Sequence, residues 1–312
     1  MSDLPSWRTE GHRHFLAGHY DEARAVYEDV LTRDPENVIA LQGACVNALH
    51  QGQIEAAARH SLNALRAHPK DPNPHMVFGA IMLRTGRFDE AEAAYRRALE
   101  LDPSHAAAVT QLGFCHLQRG QVRQAVEHYR RALALSDRDP VVRAVGHSNL
   151  IFLMDFLPEV SGMDALQERL DWNEEHAEPL TRASAPHTND RDPDRPLRIG
   201  YVGADFMMHS AAYIYTAILP EHDPYDVEVY VYSGTEKYDQ MSVTLHQAAT
   251  KWTDIRPLDD GALAQRVRED GIDILVDLAG HSRGARTLTF ARKPAPVQIS
   301  AWGHAQGTGI RA

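Results

Sequence analysis

Cysteine is nearly absent from this 312-residue chain, which has only Cys45 and Cys115. Two thiols so far apart build neither a disulfide framework nor a metal knuckle, and a reducing, cytoplasmic setting is expected. Long apolar runs are missing too, none nearing the roughly 20 residues that span a bilayer. The N-terminal Met1-Ser-Asp-Leu-Pro-Ser-Trp-Arg8 lacks the apolar core and cleavage site of a signal peptide. Lysine is scarce, 4 residues against 28 arginines, as a GC-rich genome would encode. Positive charge is not in excess anywhere: the formal net charge is −11, with 19 basic and 27 acidic residues before Arg191 and 13 and 16 from it onward. Neither part offers the basic face that nucleic acid or an anionic membrane requires. What remains is 43% hydrophobic and 24% charged, an ordinary globular composition with room for two domains.

The first half repeats itself every 34 residues. Gly18, Gly52, Gly86 and Gly120 share one register, Ala23, Ala57, Ala91 and Ala125 a second, and Pro35, Pro69 and Pro103 a third. Tyr27, Tyr95 and Tyr129 share another, with Ser61 in the second copy; Gly11, Gly79 and Gly113 share one more, with Cys45 in that copy. Each unit reads as an apolar helix, a glycine turn, a second helix packed through a small alanine, and a proline stop. The pattern resembles the tetratricopeptide repeat and predicts a helical superhelix over residues 4–139. Cys45 and Cys115 fall on first helices, where a small apolar side chain packs well. His12, His14, His19, His50, His60, His68, His75, His116 and His128 lie in the array without thiol or carboxylate constellations, so no metal site is expected.

The fourth repeat ends in Asp137 where proline is due, and residues 140–182 read as a helical cap or degenerate repeat. Proline, charge and small polar residues make 183–196 a linker. From Leu197 the period changes. Strands are predicted at 197–203, 227–233, 251–255, 272–278 and 297–302, with helices between them, including 263–270 and 285–291. That alternation predicts a parallel sheet covered on both faces, an α/β Rossmann-like domain over 197–312. Ligands of such sheets lie beyond the carboxyl ends of the strands. Three polar loops, each with a histidine, fall there: Ala204–His209, Gly280–Arg286 and Gly303–Gly309.

These residues resemble a known family. Leu197-Arg-Ile-Gly-Tyr-Val-Gly-Ala-Asp-Phe-x-x-His209, Asp270-Gly-Ile-Asp-Ile-Leu-Val-Asp-Leu-Ala-Gly-His281, Arg292-Lys-Pro-Ala-Pro-Val-Gln298 and Gly303-His-Ala-Gln-Gly-Thr-Gly309, after an array of repeats, are similar to the protein O-linked N-acetylglucosamine transferases and their bacterial SPINDLY-type relatives. The resemblance implies a two-lobed GT-B-type glycosyltransferase that needs no metal or cofactor. It would take a UDP-sugar as donor substrate and present a protein or peptide acceptor through the repeats. It places His209 on the family's active-site histidine, as base or positioner. On the residues alone, His209 either does this chemistry or caps a helix starting at Ser210, and Asp205 either orients it or caps the turn. Gly280, His281, Arg283, Gly303, His304, Gly307 and Thr308 are the substrate-lining candidates. Arg283 and Arg286 either bind phosphate or face solvent.

The chain also departs from the family. Asp273 stands where animal members carry a second histidine, and Thr9, Gly43, Val77 and Gln111 replace the asparagine ladder that lines the animal superhelix. The second nucleotide-binding lobe is expected beyond Gly309, so residues 1–312 are expected to bind donor weakly. The alternative is a non-catalytic interaction scaffold whose half-sheet serves as an end-cap. Oligomeric state is fixed by nothing in the pattern.

Overall fold

Gly18, Gly52, Gly86 and Gly120 have φ between +70° and +75°. A Cβ on any of them would meet nothing within 4 Å, so backbone conformation and not space selects glycine. In the computed structural model, which describes residues 6–135, 140–302 and 306–312, these glycines sit inside four helix pairs. The pairs are α1 (Ser6–Leu16) with α2 (Tyr20–Arg33), α3 (Val38–His50) with α4 (Ile54–Ala67), α5 (Pro72–Arg84) with α6 (Phe88–Leu101), and α7 (Ala106–Gln118) with α8 (Val122–Leu135). Ala23, Ala57, Ala91 and Ala125 are fully buried, as the close approach of paired helices demands. The tyrosines fill the remaining space: a Cβ on Gly79 would stand 2.5 Å from the Tyr95 ring, and one on Gly43 2.5 Å from that of Tyr27. Gly43 is one of the four positions where the animal ladder has asparagine, and any side chain there would strike Tyr27. Cys45 and Cys115 are buried, and burial pushes the Cys45 thiol up to about 12, which suits packing and not redox chemistry.

The chain divides into two compact units, Met1–Asp137 and Arg138–Ala312. The break thus precedes the helical cap, whereas the composition had pointed to the linker at 183–196. The reason is packing. The cap comprises α9 (Pro140–Met154), α10 (Gly162–Trp172), a π-helical turn (Asn173–Ala177) and α11 (Glu178–Arg182). Its Trp172, fully buried, shares a core with Ala144, Ile151, Ala177, Leu288 and Ala291. Thr181 Oγ1 donates to the Ala291 carbonyl at 2.7 Å.

The rest of this unit is a five-stranded sheet in the order β3-β2-β1-β4-β5, with every neighbouring pair parallel. The strands are β1 (Leu197–Gly203), β2 (Val227–Ser233), β3 (Lys251–Asp254), β4 (Ile274–Asp277) and β5 (Val297–Ser300). Alternate residues face opposite sides. Tyr201, Val229, Val231 and Val276 pack on one face with Tyr215 of α12 (Ala212–Ile218) and Leu245 of α13 (Gln240–Gln247). Val202, Tyr232 and Leu275 pack on the other with Leu263 and Val267 of α14 (Asp260–Glu269) and Phe290 of α15 (Thr287–Ala291). β4 ends earlier than the apolar run suggested, because the Asp277 carboxylate accepts the Ala279 and Gly280 amides and turns the chain. The linker is pinned at the opposite end of the sheet: Arg195 forks onto both oxygens of Asp273 at 2.7 Å, and Asn189 adds a bond at 2.8 Å. Among the described residues, no helix is long and apolar enough to cross a membrane.

Candidate functional site

From β1 the chain runs outward to β2 and β3, then crosses back to β4 and β5. The strand order therefore reverses between β1 and β4, and the loops after those two strands flank the crevice where such sheets bind ligands.

The loop after β1 is braced on its β2 side. Thr235 Oγ1 donates to the Ala204 carbonyl at 2.8 Å and accepts the Phe206 amide at 3.0 Å. Asp239, which caps α13, also takes the Met208 amide at 2.7 Å, and Ser242 Oγ donates to the Phe206 carbonyl at 2.7 Å. These contacts leave His209 exposed at the loop's tip. Its Nδ1 accepts the Ala211 amide at 3.3 Å and lies 3.8 Å from Asp205 Oδ2. Accepting an amide at Nδ1 assigns the ring hydrogen of the neutral imidazole to Nε2, which is then a donor. His209 thus braces the start of the α12 turn through Nδ1 while its side chain stays exposed.

The loop after β4 packs directly on the loop after β1. Gly284, at φ +80°, lies so close that a Cβ there would stand 2.4 Å from Ala204 Cβ. Tyr215 Oη donates to the Leu278 carbonyl at 3.3 Å, tying α12 to the same loop. Gly280 also has a positive φ, +59°. His281 is 1% exposed. Its Nδ1 faces Ser148 Oγ at 3.0 Å and its Nε2 donates to the Thr308 carbonyl at 2.8 Å, so it is a buried strut with both nitrogens engaged. Arg283 pairs with Glu236 at 3.0 Å on the open surface. Arg286 turns away to Asp260 and the Leu258 carbonyl. Of the two readings offered for these arginines, Arg283 fits the solvated one and Arg286 serves packing.

Of the third loop, Gly303 and His304 lie outside the described residues. Gly307 and Thr308 belong to a C-terminal segment gripped by the helical cap. Arg169 Nε donates to the Gly307 carbonyl at 2.9 Å while its Nη2 holds Asp155 at 2.6 Å, and Asn173 Oδ1 accepts the Arg311 amide at 3.0 Å. Gly309, at φ +77°, passes so near that a Cβ would stand 2.7 Å from Arg169 Cβ. Between this segment and the ends of β4 and β5 lies a cavity of about 280 Å³, lined by Asp277, Gln298, Ser300, Thr308 and Ile310 among others. The three-histidine convergence expected from sequence therefore separates into an exposed His209 and a buried His281. Sequence reasoning missed the supports, Thr235, Asp239, Arg169 and Ser148, because each acts across more than 25 residues. Only Asp277, the one charge inside the Ile-Leu-Val-Asp run of β4, carried a readable signal.

Asp273, the residue that departs from the family pattern, sits at the start of β4, opposite the crevice. Burial works to raise its carboxyl, but the Arg195 fork, the Arg198 amide and Asn189 outweigh it and hold the group below the usual carboxylate range. It is a clamp for the linker.

A repeat array followed by one parallel α/β lobe, with a histidine exposed at the sheet's switch point, defines a repeat-bearing protein with a Rossmann-type lobe. Comparison with known proteins shows what each part of the chain is similar to. Residues 175–311 match Glycosyl transferase family 41, and residues 14–81 and 82–145 match Tetratricopeptide repeat. The solved structure of a Thermobaculum terrenum O-GlcNAc transferase mutant, K341M, is 32% identical with a TM-score of 0.75, over 89% of this chain and 53% of that one. "Probable UDP-N-acetylglucosamine--peptide N-acetylglucosaminyltransferase SPINDLY" of Arabidopsis thaliana is 35% identical over 179 residues, 55% of this chain and 19% of the relative. The relative named SEC from the same plant is 32% identical over 114 residues, 36% of this chain and 12% of its own length. The chain thus spans about half of the solved relative and a fifth or less of these plant proteins. The resemblance to the SPINDLY and O-linked N-acetylglucosamine transferases holds for the repeats and the α/β lobe alike.

Proposed function

We propose that this chain is the repeat array and first catalytic lobe of a protein O-glycosyltransferase of the N-acetylglucosamine type, which moves a sugar from a UDP-sugar to a Ser or Thr hydroxyl. The observation that carries the reading is His209, exposed at the β1/β4 switch point within the segment matched to the glycosyltransferase family. In this reading His209 acts as a donor, its Nε2–H stabilising the charge that develops on the leaving diphosphate. Asp205 backs the ring, its Oδ2 3.8 Å from His209 Nδ1. Gly280 and Gly284 shape the crevice wall, and Gly307 and Thr308 its far rim. The repeats would carry the acceptor protein by a means other than an asparagine ladder, since Thr9, Gly43, Val77 and Gln111 stand at its positions. A cytoplasmic, bacterial setting accords with the sparse cysteine and the arginine-rich coding.

The match covers 53% of the solved relative. We assign most contacts to uridine and diphosphate to a second lobe outside residues 1–312. Calorimetry with UDP-N-acetylglucosamine tests the division. Residues 1–312 alone should give no heat of binding at micromolar donor, and binding should appear in a protein that also carries the second lobe of a family member. Micromolar binding by residues 1–312 alone would refute it.

A further inference from the structure

On the far side of His281 from the crevice, the helical cap gathers a cluster that the proposed reaction does not use. His147, on α9, is 5% exposed, and His176, in the π-helical turn, is 8% exposed. Their nearest nitrogens, His147 Nδ1 and His176 Nε2, face each other at 3.2 Å. Two imidazoles on one tetrahedral zinc, each nitrogen about 2.0–2.1 Å from the ion, sit about 3.3 Å apart, so the pair already has the spacing of a shared metal. Glu175 Oε2 lies 3.9 Å from His176 Nε2. The three ligand atoms fall within 4.8 Å of one another.

The surroundings complete the pattern. The Glu168 carboxylate accepts from His147 Nε2 at 3.0 Å. That bond places the ring hydrogen on Nε2 and leaves Nδ1 a lone pair directed at His176, the carboxylate–histidine arrangement that orients metal ligands. The π-helical turn, closed by the Glu178 amide on the Asn173 carbonyl, sets Glu175 and His176 against the same partner helix. Glu175 is partly exposed, which gives an ion an entry path and a place for a water ligand. Arg143, one turn before His147 on α9, holds Glu175 in an ion pair and competes for it. The repeat histidines predicted no metal site; His147 and His176, 29 residues apart, become a cluster only through the packing of α9 on the turn.

We propose that His147, His176 and Glu175 form a binding site for one divalent transition ion of the Zn²⁺ class, completed by water and structural in role. Two imidazoles and a carboxylate favour such an ion over Mg²⁺ or Ca²⁺, which take oxygen donors. The ion would lock α9 to the turn and thereby fix Ser148, the neighbour of His147 and the partner of His281. The inference stands on the cap's own residues and does not depend on the glycosyltransferase reading.

The test uses residues 1–312, stripped with EDTA and dialysed, then titrated with Zn²⁺ against a chromophoric chelator and with Co²⁺ by visible absorption. One equivalent should bind with the intense spectrum of a low-coordinate Co²⁺ site, and Mg²⁺ should not compete. At about 100 times the Kd, Zn²⁺ should raise the melting temperature of the cap-and-sheet unit by roughly 5–10 °C. Glu175→Gln, at a partly exposed position where folding is safe, should weaken binding at least tenfold. Arg143→Met should tighten it by releasing Glu175, and Glu168→Gln should weaken it about 10–100-fold. Binding that is absent, equally strong for Mg²⁺, or unchanged in both Glu175→Gln and Arg143→Met would overturn the proposal.

Discussion

Gly284→Ala probes the joint between the two crevice loops. The new Cβ would sit 2.4 Å from Ala204 Cβ, with Ala204 Cα at 3.8 Å. Carbon atoms pack at about 3.5–4.0 Å, so the loops must part by more than about 1 Å, and neither atom belongs to a flexible side chain. The backbone adds its own penalty, because φ of +80° costs an alanine about 1–2 kcal/mol. With about 1–3 kcal/mol for overpacking, the substitution should cost about 2–5 kcal/mol. Gly271→Ala is the matched control in the same unit: φ is +63°, but the sole close neighbour is the tip of Arg198, Nη1 at 3.0 Å, which can swing aside. Its cost should stay near the backbone penalty, about 1–2 kcal/mol. Urea unfolding followed by tryptophan fluorescence reads this unit well, since Trp172, Trp252 and Trp302 lie in it. The midpoint should fall by roughly 1–2 M for Gly284→Ala and by about half that for Gly271→Ala. Equal shifts, or a Gly284→Ala protein as stable as its parent, would refute the steric argument and with it the contact between the loops.

Two further perturbations test the supports. Arg169→Met removes the buried partner of Asp155 and the donor to the Gly307 carbonyl, and should destabilise the unit by about 3–5 kcal/mol; adding Asp155→Leu should recover much of that loss, and a cycle showing no coupling would contradict the pairing. The folded carboxyl of Asp273 lies below its unfolded value of about 3.9, so its stabilising contribution is full above that value and fades as pH falls through the lower folded one. Asp273→Asn should therefore lower the urea midpoint at pH 7 and lessen the further loss between pH 5 and 2, whereas a parallel acid profile would show that the clamp does not titrate as described.

The repeats were legible because each signal is local: a glycine for φ, an alanine for close approach and a proline stop recur at one spacing, and the helices form where those signals lie. The sheet was legible from its change of period, although β3, β4 and β5 are each shorter than their apolar runs, β4 ending where the Asp277 carboxylate turns the chain. The site was legible in part. His209 and Asp205 share one loop, so their 3.8 Å approach is local, while His281 looks the same in sequence but is buried by Ser148 and Thr308 from distant segments. The cap's allegiance to the sheet was hidden for a similar reason: Trp172 meets Leu288 and Ala291 across more than 110 residues, and helical periodicity does not say what a helix packs against.

The central claim is that His209 belongs to a sugar-transfer site. Its most direct test is transfer of labelled N-acetylglucosamine from the UDP-sugar to Ser or Thr of an acceptor protein, by this chain joined to a family second lobe, with and without His209→Ala. The account predicts transfer by the parent and a loss of at least about 100-fold in the variant, with acceptor binding unchanged and the melting temperature lowered by no more than a few degrees, about 1 kcal/mol for the lost Ala211 amide bond at an exposed position. Full transfer by His209→Ala, or none by the parent despite donor binding, would contradict it.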